Sequence, residues 1–125
     1  MARKPISNNR CFERVRVAVP VRFCVAGRAA LPIYDDGETI DLSCGGLLLR
    51  CDDVSEAFLE ELIEEDHALR VRMLVRSGKW AKARARVVWM ERDEATDTVL
   101  LRACFVGLPA ESTRLIDELL ASPHA

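Results

Sequence analysis

Histidine is almost missing from this chain: two occur in 125 residues, His67 and His124, and neither stands at a ligand-like spacing from a cysteine pair. A nucleophilic triad therefore lacks its usual base, and zinc lacks a ligand set. The five cysteines (Cys11, Cys24, Cys44, Cys51, Cys104) are odd in number and form no C-x-x-C pair, so they read as reduced, packed thiols and not as a disulfide scaffold. Long apolar runs are missing too. Nothing approaches the ~18 residues of a membrane helix, and the start, Met1 to Pro5, leads into polar residues where a secretory segment would turn apolar. The expectation is a soluble, cytoplasmic protein. Gly45-Gly46 has neither the further glycines nor the downstream lysine of a phosphate-cradling loop, and the acidic residues from Glu56 to Asp66 read as the solvated side of a helix. Together these absences point away from an enzyme and away from a metal site.

What remains is ordinary in bulk and uneven in detail. Hydrophobic residues make up 50% and charged residues 30%, the profile of one globular domain of ~100–150 residues and not of a disordered chain. A net charge of −2 argues against a protein built mainly to coat nucleic acid. Along the chain, however, the charges separate: residues 1–28 carry seven basic groups and one acidic, 35–66 one basic and twelve acidic, and 70–86 seven basic and none acidic. Alternating solvated faces account for most such runs. An N-terminal arm of net +6 (seven minus one) also attracts an anion over a Debye length of ~8–10 Å.

Period-2 alternation dominates the pattern. Val15, Val17, Val19, Val21 and Phe23 share one face and Arg14, Arg16 and Arg22 the other, with Pro20 marking an edge strand or one broken by a bend. Asp35-Asp36-Gly37 reads as a turn, Glu38 to Ser43 as a second strand, and Leu47 to Cys51 as a third after the Gly45-Gly46 kink. Arg70 to Arg76 and Trp80 to Met90 form a hairpin about Ser77-Gly78-Lys79, with Ala81, Ala83, Ala85, Val87 and Trp89 facing inward opposite Lys82, Arg84 and Arg86. Trp89 thus reads as core, while Trp80 stands beside the turn. Thr98 to Val106 is the last strand. Helical spacing returns twice. Asp53-Val54-Ser55-Glu56 resembles a capping box before a stripe of Val54, Phe58, Leu59, Leu62 and Ile63, and Pro109 precedes a C-terminal stripe of Leu115, Ile116, Leu119 and Leu120. About six strands in one domain need their edges closed, which predicts a mainly β fold: a small antiparallel barrel with a helix packed on one end.

Two short patterns stand in a particular order. Arg10-Cys11-Phe12-Glu13-Arg14 is an R-x-x-x-R before the first strand, and Asp41-Leu42-Ser43-Cys44-Gly45-Gly46 is a D-x-S-x-x-G between the second and third. R-x-x-x-R recurs at Arg72 and Arg76, so the order carries the weight: the Arg pair, Pro20-Val21-x-Phe23, the Asp/Ser/Gly element, then Val88-Trp89 closing a strand. From Asn9 to about Leu120 the chain resembles the PilZ domain family. The resemblance implies a six-stranded antiparallel barrel with a C-terminal helix, whose outer face binds cyclic di-GMP, a bacterial second messenger. It implies residues 1–13 as a flexible arm carrying part of the ligand motif, 14–125 as the barrel domain, and a ligand set of Asn9, Arg10, Arg14, Asp41, Ser43, Gly45 and Gly46. Asn9 departs from the commoner pattern, in which a second Arg or a larger residue precedes the Arg pair; it neither stacks nor neutralises phosphate, which favours a single bound ligand. The strand Arg102-Ala103-Cys104-Phe105-Val106 also lacks the glycine that often precedes the family's aromatic there.

The residue chemistry suits that ligand. Guanine's O6 and N7 accept an Arg fork, which also stacks on the base and pairs with phosphate. Asp41 repels phosphate and would instead accept from guanine N1–H and N2–H₂, excluding adenine. Ser43 projects on the same face, and the glycines permit close backbone approach. Other readings stay open: Arg10 and Arg14 as a solvated tail, Asp41 and Ser43 as a turn bonding its own backbone, Gly45-Gly46 as a bulge without ligand. The expected function is a cyclic di-GMP receptor, a monomer or weak homodimer, acting through an unidentified effector protein in motility, biofilm formation, exopolysaccharide production or virulence. A PilZ-like adaptor for protein contacts alone is the alternative, followed by a small barrel binding single-stranded nucleic acid through Trp80, Lys82, Arg84 and Arg86.

Overall fold

The alternation of the sequence becomes the wall of a closed barrel. In the computed structural model, which describes residues 13–27, 34–52, 54–75 and 78–121, the order is β1 (Val15–Arg16), β2 (Pro20–Val25), β3 (Asp35–Leu42), β4 (Gly46–Asp52), α1 (Glu56–Glu64), β5 (Ala68–Leu74), β6 (Trp80–Asp93), β7 (Thr98–Gly107) and α2 (Ala110–Ala121). The strands pair in the order β1-β3-β2-β5-β6-β7-β4, and β4 returns to β3, so six antiparallel strands close on themselves with β1 added beside β3. Inward residues of the six closing strands fill the interior: Val21 and Phe23, Leu42, Leu47 and Leu49, Leu69 and Met73, Ala81 and Ala85, Val99 and Leu101 are all buried. Small alanines on β6 leave room for α2, which covers that strand with Leu115, Ile116 and Leu119. α1 presents Phe58 edge-on to Phe23, centroids 5.6 Å apart, and buries Leu62.

Pro20 opens an inner strand flanked by β3 and β5, so the valine run is broken and not an edge. A proline at the first strand position gives up no ladder bond. Across the break the Thr39 hydroxyl replaces the ladder, accepting from Val19 N (2.9 Å) and donating to Val17 O (2.5 Å). Ser112 does the same where β7 has ended, accepting from Lys82 N (3.0 Å) and donating to Lys82 O (2.7 Å). Barrel closure thus leaves no buried side-chain polar atom among the described residues without a partner.

Several sequence expectations need correction. Asp35-Asp36-Gly37 is not a turn; these residues pair with Phe23, Arg22 and Val21. A Cβ on Gly37 would lie 2.8 Å from Arg50 O, so its glycine serves close strand approach. The α1 cap is Ser55, whose side chain accepts from Phe58 N, placing the helix start later than the capping box suggested. Ile63 is 67% exposed because Phe58 and Leu62 already occupy the core-facing side. Trp89 is 45% exposed, not core. A bulge between Val87 and Trp89 inserts Val88 into β6, and one extra residue turns everything after it to the opposite face.

Candidate functional site

That bulge aligns five outward residues across five strands. Arg16 on β1 pairs with Asp41 on β3, Asp41 with Leu48 on β4, Leu48 with Arg102 on β7, and Arg102 with Trp89 on β6. Directly opposed residues project from the same face, and the buried neighbours Leu42, Leu47 and Leu101 fix that face as the outer one. In the middle of the row the Arg102 guanidinium forks onto the Asp41 carboxylate, Nη1 to Oδ1 and Nη2 to Oδ2 both at 3.3 Å, with side chains only 24% and 15% exposed. A two-pronged pair at that burial is oriented and only partly hydrated.

One rung away lies the Asp/Ser/Gly element. Ser43 Oγ accepts from Gly45 N at 3.0 Å while Ser43 N donates to Gly46 O at 2.9 Å, so Ser43 is committed to its own turn, the backbone-bonding reading of that residue. Its hydroxyl proton has only a long contact to Gly46 O, 3.5 Å. Gly45 O accepts from Phe105 N at 2.8 Å, and a Cβ on Gly46 would sit 2.2 Å from Ala103 O. The close approach that Gly46 permits is therefore to β7. Cys44 lies in the same turn with Sγ 3.2 Å from Asp117 Oδ1 of α2.

Of the residues singled out from the sequence, Asp41, Ser43, Gly45 and Gly46 come together on one end of β3 and β4. Arg14 joins them: it is exposed, and continuing the Val15–Leu42 register places it level with Ser43. Asn9 and Arg10, with the rest of residues 1–12, lie outside the described residues. Sequence reasoning missed Arg16, Arg102 and Trp89. For Arg102 a signal existed, since it is an arginine between two inward residues, Leu101 and Ala103, on an otherwise apolar strand. On the far side of the row a groove of about 920 Å³ runs along Ile40, Arg50 and the β6–β7 hairpin, where Glu91, Asp93 and Glu94 oppose an anion. The cations that favour one, Arg14 and Arg16, lie at the β1 end.

Thiol chemistry at the walls is subdued. Burial pushes the Cys51 thiol up to about 12, with Asp35 and Asp52 adding to the effect. Cys24 is also raised by burial, against the pull of Tyr34, Arg70 and Arg72. Among the described residues no cluster of His, Cys, Asp and Glu has metal-holding geometry, and no helix is long and apolar enough to cross a membrane.

A family model described as PilZ domain matches residues 8–122. Among solved structures the chain is similar to the PilZ domain with c-di-GMP of YcgR from Escherichia coli (TM-score 0.63, 14% identity, covering 88% of this chain and 87% of that one). It is also similar to the PlzA protein of Borreliella burgdorferi in complex with c-di-GMP (TM-score 0.60, 9% identity, 94% and 55%). A third is the inhibitor of motility MotI/DgrA of Bacillus subtilis (TM-score 0.61, 13% identity, 88% and 49%). This chain spans about half the length of the last two. At these identities the likeness is one of fold. No curated protein matches by sequence.

Proposed function

The chain belongs to the PilZ domain family, and on that premise we propose that it is a receptor for cyclic di-GMP, a binding module that signals through a partner protein. The observation that carries this reading is the outer row Arg16, Asp41, Leu48, Arg102, Trp89, lying beside the Ser43–Gly46 turn. Its chemistry matches each part of the ligand. The Asp41–Arg102 fork keeps an acceptor for guanine N1–H and N2–H₂ beside a donor for phosphate or for O6 and N7. Because Arg102 neutralises Asp41, the carboxylate does not repel the ligand's phosphates. Trp89, exposed next to Arg102, offers a base a stacking face. Ser43 holds the turn and has its hydroxyl proton to give to a phosphate oxygen.

Arg14, and Arg10 and Asn9 on the arm ahead of it, complete the set by closing over the ligand from the β1 side. Ordering of residues 1–13 on the ligand would then change the surface offered to a partner, the step by which binding becomes a signal. The similarity in fold to an inhibitor of motility makes motility the first process in which to look for that partner.

Calorimetry with cyclic di-GMP, cyclic di-AMP and GMP tests the reading. Cyclic di-GMP should bind and raise the unfolding temperature, while the other two at equal concentration do so far less. Arg10→Ala and Arg14→Ala should each lose a charge-assisted contact of ~1.5–3 kcal/mol, roughly ten- to a hundred-fold in affinity, whereas Arg72→Ala, in the second R-x-x-x-R, should lose nothing. No heat and no thermal shift at saturating cyclic di-GMP would leave the adaptor alternative in its place.

A further inference from the structure

On the opposite wall of the barrel, cations face cations. β5 runs between β2 and β6, and the register sets Arg22 directly opposite Arg72, Arg72 opposite Lys82, and Arg70 opposite Arg84. All five side chains are exposed. Like charges directly across a ladder destabilise a sheet, where opposite charges would stabilise it. Yet among the described residues no carboxylate pairs with Arg70, Arg72, Lys82 or Arg84, while Arg22 reaches Asp36 at 3.5 Å and Arg86, beyond the cluster, is paired with Asp66.

Two of the guanidiniums are also held in place. Arg72 lies over the Tyr34 ring at 5.0 Å and Arg22 over the Trp80 ring at 5.3 Å. Beside them a cleft of about 600 Å³ opens towards the Gly107–Pro109 segment that leads into α2, with Tyr34, Leu108 and Pro109 as its apolar wall and the four unpaired cations as its rim. A volume of that size takes a side chain or two of a ligand.

We propose that this wall is a docking surface for an acidic segment of a partner protein, whose carboxylates are taken by Arg70, Arg72 and Arg84 while an apolar side chain enters the cleft. Guanidinium forks bind carboxylates with two parallel hydrogen bonds, and an incoming carboxylate removes the like-charge repulsion the free sheet carries. Each strand of this wall is paired on both sides where the cations sit or is covered by α2, so the partner docks through side chains and not by adding a strand. Nucleic acid fits less well. Tyr34 and Trp80, the rings on which bases would stack, already carry guanidiniums, and a chain of net charge −2 gains little from a long polyanion outside this patch.

The surface stands apart from the cyclic di-GMP site, and the test keeps the two separate. A short fluorescein-labelled peptide of glutamate and leucine in equal proportion is titrated by anisotropy at ~0.1 M salt, alongside a single-stranded oligonucleotide of equal length. The peptide should bind, and Arg70→Glu and Arg84→Glu should each weaken it at least tenfold, with Arg84→Gln intermediate. Both charge reversals should raise the unfolding temperature, because a like-charge pair becomes an opposite-charge one, and both should leave cyclic di-GMP binding at its wild-type value. Peptide binding that is absent or indifferent to these substitutions would overturn the proposal. Tighter binding of the oligonucleotide would overturn it in favour of nucleic acid, and concentration-dependent self-association abolished by Arg84→Glu in favour of a second copy of this chain.

Discussion

Two walls of one barrel treat the same residue types in opposite ways. Around β3, β4 and β7 each arginine of the outer face has a carboxylate, Arg102 with Asp41 and Arg50 with Glu38, both at 3.3 Å. Around β2, β5 and β6 the outer arginines confront one another across the ladder. Both walls follow the same inward–outward alternation, so periodicity does not explain the difference; which strands the barrel makes neighbours does. The first wall joins the acidic stretch of the sequence to Arg102 across 61 residues, and the second lays two basic stretches side by side. Ion pairing fixes Asp41 and Arg102 on the first wall, while on the second Arg70, Arg72, Lys82 and Arg84 face like charge with no carboxylate partner among the described residues, Arg72 resting only on the Tyr34 ring.

Two glycines offer the largest contrast, Gly46 inside the first wall and Gly107 where β7 ends beside the second wall's cleft. Gly46→Val should cost about 3 kcal/mol or more, because a Cβ there would lie 2.2 Å from Ala103 O and the backbone of β7 has to move. Gly107→Ala, whose Cβ would meet only the Arg84 side chain at 3.6 Å, should be neutral or stabilise by up to ~1 kcal/mol. Urea unfolding of the two variants measures both, and a Gly46 variant as stable as the wild type would mean that β4 and β7 are not packed as described.

Asp41→Ala should come next. It strands the half-buried Arg102, costing roughly 1–3 kcal/mol of stability, and it should weaken cyclic di-GMP at least tenfold. Asp41→Asn should be milder because the amide oxygen still accepts. Equal losses from Asp41→Ala and from Arg72→Ala would erase the distinction between the walls.

Trp89→Ala should leave stability within about 0.5 kcal/mol, as for an exposed residue, where a core tryptophan would cost ~3–5 kcal/mol. It should nonetheless weaken cyclic di-GMP several-fold. Stability lost without affinity would return Trp89 to the core role its alternation suggested.

The smallest effect concerns the two buried thiols. The folded state raises Cys51 from 9.0 to about 12, so it holds its proton more tightly than the unfolded chain does. Its contribution is whole below pH 9 and is lost as the pH climbs from 9 towards 12. Cys24, raised by burial but tempered by Tyr34, Arg70 and Arg72, should ionise first. Alkylation followed against pH should therefore reach Cys24 before Cys51. Cys51 reacting before Cys24 would show that the walls impose no such difference.

The legible part of this protein was local. Strand faces at Val19, Val21 and Phe23 or Val71 and Met73 could be read because burial on one side of a sheet enforces period 2. The Gly46 requirement and the Asp41–Ser43 spacing were visible for a related reason: they sit within one turn. The site was half legible. Arg102 and Trp89 joined it through register, and register after a bulge is invisible to a pattern that assumes strict alternation. Asp35 to Gly37 misled because a turn-like composition was overruled by partners on β2.

By itself, then, the sequence determined most of the strands and both helices, most of the inward residues, the closed mainly β architecture and the family, because these follow from side-chain volume, periodicity and short motifs. Tertiary structure alone decided that Thr39 and Ser112 stand in for missing ladder partners, that Val88 turns Trp89 outward, that Asp41 meets Arg102, and that five cations share one wall. Each of these is a contact between segments far apart in the chain, and closing a barrel fixes such contacts through geometry that no local run of residues contains.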